Sequence, residues 1–172
     1  KLEEIEEDDS IILTQDELKM WEIQKKYKKI VFNDDETSLG YEISVYQETI
    51  NKYFSEYLVN FDYLTRLLEN YGFRKLNNKE LEDLNFSSSI GSFSLLFEKL
   101  NQDLKSHKIK KDNHVISTLK MNENEKQISF LNNFFIYKKI RNVPTQSVFN
   151  SLVKNKKKSK YKKLKQKIKL VN

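Results

Sequence analysis

Acidic residues and histidines are the side chains of this sequence that could perform chemistry, but their spacing matches no common catalytic or metal site. Asp34, Asp35 and Glu36 are consecutive and could bind a cation, although we favour a capped turn for this polar loop. His107 and His114 are seven residues apart with no metal-ligand pattern around them, so surface positions are expected. The sequence shows no Ser/His/Asp or Cys/His arrangement for nucleophilic catalysis.

The composition excludes several classes of site and of location. The chain has no cysteine, which rules out disulfides and thiolate metal ligands, and its three glycines are too dispersed for a GxGxxG or Walker loop. No apolar run approaches the roughly 20 residues needed to cross a bilayer. The N-terminus KLEEIEEDDS is too acidic for a secretory signal. We therefore expect a protein that is neither membrane-embedded nor secreted.

Composition divides the 172 residues into three regions. Residues 1–15 form an acidic lead-in or linker, 16–143 form the folded body, and 144–172 form a basic tail. Residues 140–172 contain eleven of the 31 basic residues and none of the 25 acids, so the rest of the chain has a net charge of −5. Such a tail predicts an anionic partner such as RNA, DNA or an anionic surface, and a solubilising tail is the alternative.

The body mixes helical and strand patterns, which indicates the α/β class. Asn60 can cap a helix whose apolar stripe ends at Tyr71, and Gly72 follows at the position of a left-handed cap. Because strands are predicted on both sides, this helix could be a crossover between them. Strands are predicted at 21–27, 41–46, 73–76 and 130–140, helical segments at 16–19, 93–104 and 123–127, and irregular segments at 33–38, 77–91 and 105–116.

Four segments, in the same order, resemble parts of the mRNA cap guanine-N7 methyltransferase family. EYLVNF at 56–61 resembles the most recognisable element of the family outside its cofactor site. NDDETSLGYEISVYQETINK at 33–52 resembles the version in capping enzymes of large DNA viruses, of the giant-virus or poxvirus type. WEIQKKY at 21–27 resembles the preceding strand, and EKQISFLNNFFIYKK at 125–139 resembles the closing strand.

The resemblance implies the C-terminal half of a class I methyltransferase fold, an α/β structure whose mixed sheet ends in antiparallel strands. The family binds S-adenosylmethionine on a glycine-containing loop in the first half of the fold, and this chain has no such loop. We therefore expect a chain that recognises the cap but is inactive alone. The implied partners are capped RNA and the rest of the capping enzyme or a partner subunit. The implied location is the viral factory in the host cytoplasm, or the virion.

Glu56 is the residue that the resemblance assigns to the cap guanine. Guanine presents N1–H and its N2 amine as adjacent donors, and an ionised carboxylate can accept both hydrogen bonds. Adenine lacks that pair of donors, and sites of this kind discriminate by about 10⁴–10⁵. No catalytic base is expected, because guanine N7 is unprotonated and catalysis would come from orientation. The alternative for Glu56 is a solvated glutamate near a helix start.

Three further residues are candidates for the wall of the cap pocket. Tyr57 adjoins Glu56, although buried packing is the alternative for it. The family has an aromatic residue near the cap on its closing strand, where this sequence has Asn132. Phe134, two residues further along and on the same face of a strand, could stack on the base or pack in the core.

Lysines of the basic tail are candidates for RNA backbone contacts, because each lysine that meets a phosphate adds salt-dependent affinity. The residues are Lys156, Lys157, Lys158, Lys160, Lys162 and Lys163.

Two other functions compete with the enzyme hypothesis. The same residues could belong to a non-catalytic subunit that binds RNA or stimulates a capping enzyme. A virion protein with a basic tail that packs nucleic acid is the third possibility.

Overall fold

The computed structural model describes residues 2–28 and 31–154, and the chain divides into two compact units. The first unit comprises Lys1–Leu64 and Leu76–Ile136, and the second comprises Thr65–Lys75 and Tyr137–Asn172. Both contain helices and strands, so the α/β class predicted from the sequence is confirmed.

A four-stranded antiparallel sheet is the largest element of the first unit. Its strands are β1 (Ser10–Gln15), β2 (Leu18–Lys25), β3 (Glu42–Gln47) and β4 (Lys52–Tyr57), in the order β1-β2-β3-β4. Each strand pairs with the next along the chain. Short turns connect β1 to β2 and β3 to β4, whereas the longer segment 26–41 connects β2 to β3. The strands predicted at 21–27 and 41–46 correspond to β2 and β3, whereas β4 was not predicted.

The N-terminal hairpin corrects two predictions. Ser10–Gln15 form β1, although residues 1–15 were expected to be a lead-in or linker. Asp16 and Glu17 were expected to begin a helical turn, but both have positive φ and connect β1 to β2 as a two-residue hairpin turn. Such turns usually contain Asn-Gly or Asp-Gly, so the Asp-Glu pair gave no hairpin signal.

The register of the sheet separates an apolar face from a polar face. Ile23, Val45 and Phe54 are partners across β2, β3 and β4, and directly opposed residues share a face. The next row along the strands has Glu22 opposite Tyr46 and lies on the other face. We call these surfaces the apolar face and the polar face.

Most helices of the described residues begin with a side-chain cap, and the helix Phe93–Lys105 is an exception. Asn60 Oδ1 accepts hydrogen bonds from the amides of Asp62 and Tyr63, which starts the predicted helix. The helices are α1 (Phe61–Asn70), α2 (Asn78–Asp83), α3 (Phe93–Lys105), α4 (Asn113–Leu119) and α5 (Glu123–Ser129). No helix of the described residues is long and apolar enough to cross a membrane.

Helices α1, α3 and α5 confirm predictions, while α2 and α4 lie where irregular segments were expected. In α2, the Asn77 side chain accepts from the Glu80 amide and the Glu80 carboxylate accepts from the Asn77 amide. This reciprocal capping box is readable from the sequence as Asn-x-x-Glu. Asp112 caps α4 in a similar way, by accepting from the Val115 amide. Both capping signals are present in the sequence, but the helices that they begin are too short to show an apolar periodicity.

Four short strands complete the structure and break the predicted closing strand. They are β5 (Phe73–Lys75), β6 (Ile90–Ser92), β7 (Asn133–Phe135) and β8 (Tyr137–Lys139). Within the first unit β6 pairs with β7, and within the second β5 pairs with β8, both antiparallel. The segment 130–140 is therefore two strands with different partners. At the junction, the Ile136 amide donates to the Ser89 carbonyl.

The expected mixed sheet and crossover are not found. Every strand pair in residues 2–28 and 31–154 is antiparallel, and β3 and β5 belong to different sheets. Helix α1 therefore does not connect parallel neighbours. Propensity locates a helix between two strands, but it does not decide which strands pair.

The second unit is organised around the end of α1. Gly72 has φ +84°, which confirms the predicted left-handed cap, and its carbonyl accepts from the Ile140 amide at 2.8 Å. A Cβ at Gly72 would collide with the Arg141 backbone oxygen. Arg141 also donates to the Glu69 carbonyl. Residues 145–154 are helical up to the last described residue, in the region predicted as a basic tail.

Candidate nucleobase site on the apolar face

Glu56 lies near the end of β4, an edge strand of the four-stranded sheet. It is the register partner of Ile43, which in turn pairs with Lys25 on β2, so the three share the apolar face. Ile43 and Lys25 are buried, whereas Glu56 is exposed. Its carboxylate makes no hydrogen bond or ion pair with any residue of the described chain. Glu56 is therefore an exposed carboxylate on an edge strand shortly before α1, as the alternative of a solvated glutamate near a helix start describes.

Tyr57 is on the opposite face from Glu56, because successive strand residues alternate. It pairs with Glu42 and is 59% exposed, so it cannot form a common pocket wall with Glu56. Leu58 occupies the position that Tyr57 was expected to fill. Its amide donates to the Tyr41 carbonyl at 2.9 Å, which extends the β3–β4 ladder by one residue on the apolar face.

An aromatic pocket lies on the apolar face and is lined in part by Leu58. Its volume is about 150 Å³, and Tyr27, Phe32, Tyr41 and Leu58 are among the residues that line it. The Tyr41 ring packs edge-on against Tyr27 and against Phe32, with ring centroids 4.9 Å apart in both pairs. Glu56 does not itself line the pocket, but Leu58, two residues beyond it on the same strand face, does.

The pocket also contains charged groups. Lys25, which is 4% exposed, donates from Nζ to the Ile5 carbonyl and lies 5.0 Å from the Tyr27 ring centroid. Glu3 lines the same pocket. Burial raises the pKa of the Tyr27 hydroxyl, and the negative charge of Glu3 and the neighbouring Tyr41 add to this effect. Tyr27 is therefore a neutral hydroxyl at neutral pH and can donate a hydrogen bond.

The sequence did not predict that the aromatic residues of this pocket come together. Tyr27 and Tyr41 were assigned only to strands, and Phe32 was not predicted to line a site. The Tyr41 hydroxyl donates to the Val31 carbonyl at 2.6 Å, which holds the Phe32 segment against the sheet. Strand alternation alone could have placed Tyr27 and Tyr41 on strand faces, but only pairing shows that they share one.

Asn132 and Phe134 lie elsewhere in the first unit. Phe134 packs against Phe86 with ring centroids 5.6 Å apart, and a Cβ at Gly91 would come within 2.7 Å of its ring. Asn132 precedes β7, and its side-chain amide donates to the carbonyls of Ile128 and Ser129. No described hydrogen bond or ring contact joins either residue to Glu56. The predicted pocket wall of Asn132 and Phe134 is therefore not assembled with Glu56.

Phe134 instead lines a more open cleft of about 450 Å³. Lys99, in the same cleft, forms an ion pair with Asp103 at 2.7 Å and lies 5.3 Å from the Phe86 ring centroid. The cleft is lined by Glu82, Asn85, Phe86, Ser87, Leu95, Leu96, Glu98, Lys99, Gln102 and Phe134. Because Lys99 already lies against the Phe86 ring, that ring face is occupied, and we do not place the candidate nucleobase site in this cleft.

A charged cluster on the polar face was missed by the sequence reading. Glu22 accepts hydrogen bonds from Ser10, Lys19 and Tyr53 at 2.6–2.7 Å. The hydrogen bond from Lys19, followed by those from Tyr53 and Ser10, lowers the pKa of Glu22 to about 2. The Lys19 ammonium also lies 4.4 Å from the Tyr46 ring centroid. These contacts involve residues of all four strands, and they stabilise the sheet.

The structure describes the residues considered for metal binding, but not the lysines predicted to contact the RNA backbone. Among residues 2–28 and 31–154, no group of three or more His, Cys, Asp or Glu side chains could hold a metal ion. Asp35 caps a 3-10 turn (Glu36–Ser38) by accepting from the Thr37 amide at 2.8 Å, as the capped-turn hypothesis predicted. All six candidate tail lysines, Lys156, Lys157, Lys158, Lys160, Lys162 and Lys163, lie outside the described residues.

Comparison with known proteins adds no family assignment. No protein-family model matches the chain, and no curated protein matches it significantly.

Proposed function

We propose that this chain is the cap-recognising, C-terminal half of an S-adenosylmethionine-dependent mRNA guanine-N7 methyltransferase. One observation carries the proposal. The carboxylate of Glu56 has no hydrogen-bond or ion-pair partner among the described residues. It lies on the same face as an aromatic pocket of about 150 Å³, and Leu58, two residues further along the chain, lines that pocket. Glu56 and Leu58 belong to the EYLV segment that resembles the methyltransferase family.

The chemistry of this arrangement suits guanine. The Glu56 carboxylate can accept from N1–H and the N2 amine, while the rings of Tyr27 and Phe32 offer apolar contact to the base. Tyr27 can donate to a base acceptor because its hydroxyl stays protonated. Adenine lacks the adjacent pair of donors that guanine presents, so it cannot form both hydrogen bonds to the carboxylate, and the site would discriminate through hydrogen bonding rather than through shape.

The cofactor belongs to a part of the enzyme that these residues do not form. Gly40 precedes β3, Gly72 follows α1, and Gly91 lies within β6, so no glycine follows a strand in a phosphate- or nucleoside-binding turn. The residues present therefore do not fit S-adenosylmethionine, and the proposal assigns its binding to an upstream half of the class I fold.

In this proposal the tail lysines bind the phosphates of the transcript body, without reading sequence. The runner-up function is a non-catalytic subunit that recognises the cap for a separate methyltransferase. It is supported by the same absence of a fitting cofactor site, because base recognition needs only the residues of the first unit.

A binding experiment with matched dinucleotides tests the proposal. Calorimetric titration with GpppG and with ApppA, which contains no guanine, should show preference for GpppG, and Glu56→Gln should remove at least about tenfold of that preference. Glu48→Gln makes the same chemical change at an exposed loop residue and should leave the preference intact. Equal affinity of the wild-type protein for the two ligands would refute guanine recognition at this site.

A further inference from the structure

We infer that β4 is a homodimerisation edge, at which two copies of this chain pair through antiparallel β4 strands with Lys52 of each copy opposite Glu56 of the other. The inference concerns self-association and does not require the proposed function. Its basis is the exposure of β4, its position in the sheet and the order of its charges.

Among the described residues, no strand pairs with the outer edge of β4. All six of its residues are exposed, and within the described residues it pairs only with β3. Alternate residues of a strand direct their amide and carbonyl groups to opposite sides, so half of the β4 backbone groups face away from β3. Tyr53 is 51% exposed and Phe54 is 42% exposed. An exposed aromatic edge of this kind is a template for another strand.

The sequence of β4 is self-complementary in one register. When a twofold axis passes through Phe54, antiparallel pairing places Lys52 opposite Glu56 of the second copy, and the symmetry repeats this pair. Phe54 of one copy then faces Phe54 of the other, between the two ion pairs. The three residues alternate along the strand, so they lie on one face and their side chains can meet.

Other registers lose this complementarity. A shift by one residue places Lys52 opposite Ser55 or Tyr57, and neither ion pair forms. A lysine on an edge strand ordinarily opposes strand pairing, but here a second copy supplies the compensating carboxylate. Neither Lys52 nor Glu56 has an ion-pair partner among residues 2–28 and 31–154, so both are available to a second chain.

The dimer would engage the carboxylate that is proposed to read guanine. Glu56 cannot accept from the base edge while it faces Lys52 of a second copy at ion-pair distance. Self-association and guanine binding would therefore compete, and by linkage each would weaken the other.

Charge reversal on the full chain tests the dimer by analytical ultracentrifugation over a wide concentration range. The wild-type protein should show a concentration-dependent dimer. Lys52→Glu and Glu56→Lys should each raise the dimer Kd by at least about tenfold, because each variant places two like-charged pairs across the axis. An equimolar mixture of the two variants should form a heterodimer again, since opposite charges then face each other in both pairs.

The mixing experiment also serves as the folding control, because misfolded variants would not associate with each other. Glu48→Lys changes the net charge equally from an adjacent loop and should leave the dimer Kd unchanged. A monomeric wild-type protein at all concentrations, or two variants that stay monomeric on mixing, would overturn the inference. Lys52→Glu retains Glu56, so this monomeric variant should still prefer GpppG, and loss of that preference would count against the proposed function alone.

Discussion

Replacing Glu22 by Gln should destabilise the four-stranded sheet in a pH-dependent way. The carboxylate accepts from the Lys19 ammonium at 2.6 Å, and from the Tyr53 and Ser10 hydroxyls at 2.7 Å. These donors come from β1, β2 and β4, so the cluster links strands that are not all neighbours. An amide keeps the shape of the side chain but loses the charge and one acceptor oxygen.

The size of the effect follows from the lowered pKa and from solvent screening. The fall of the Glu22 pKa from 4.5 to about 2 corresponds to at most about 3 kcal/mol. The Glu22 side chain is 13% exposed, but that of Lys19 is 37% exposed, so water screens their pair. We therefore expect Glu22→Gln to lower the free energy of unfolding by about 1–2 kcal/mol at pH 7.

The pH dependence of this difference in the free energy of unfolding identifies its cause. Because the folded-state pKa is lowered, the stabilisation is complete above pH 4.5 and is lost as the pH falls towards about 2. The difference in stability between the wild-type protein and Glu22→Gln should therefore shrink between about pH 5 and pH 2. Other carboxylates titrate in this range in both proteins, so their contributions cancel in the difference.

Urea denaturation followed by the fluorescence of Trp21, the one tryptophan, measures this difference. Trp21 adjoins Glu22 on β2, so its signal reports on the sheet itself. Glu42→Gln is the matched control, because Glu42 lies on the next strand and accepts a single hydrogen bond, from Ser55. Equal stability of Glu22→Gln and the wild-type protein at pH 7, or a difference that stays constant down to pH 2.5, would refute the reasoning.

Three further outcomes are expected. Gly72→Ala should destabilise the second unit by more than about 1 kcal/mol, because a positive φ is combined with a collision between the new Cβ and Arg141. Gly40→Ala should destabilise the protein less, because Gly40 has φ +85° but open space around it. Thermal unfolding of the two variants tests this difference. Deleting residues 155–172 should weaken RNA binding and flatten its salt dependence, and an unchanged slope would exclude the tail from RNA contact. The chain alone should show no micromolar affinity for S-adenosylmethionine by calorimetry, and such affinity would contradict the half-enzyme proposal.

The sequence by itself determined the features that depend on a few consecutive residues. Asn60 before an apolar stripe and Gly72 after it specify where α1 begins and ends, because caps satisfy orphan backbone groups within one turn. Alternation specified β2 and β3 in the same local way. The EYLV segment also singled out Glu56 as the residue that the resemblance assigns to the cap guanine.

Only the tertiary structure decided which of these residues meet. The aromatic segment 130–140 resembles one strand, yet β7 and β8 pair with different strands, and this carries Phe134 to the Phe86 cleft instead of to Glu56. Tyr27, Phe32 and Tyr41 form a pocket because β2 and β3 are in one register, and a shift of one residue would reverse the faces. Strand pairing joins residues far apart in sequence, so no local pattern encodes it, and the site depends on that pairing.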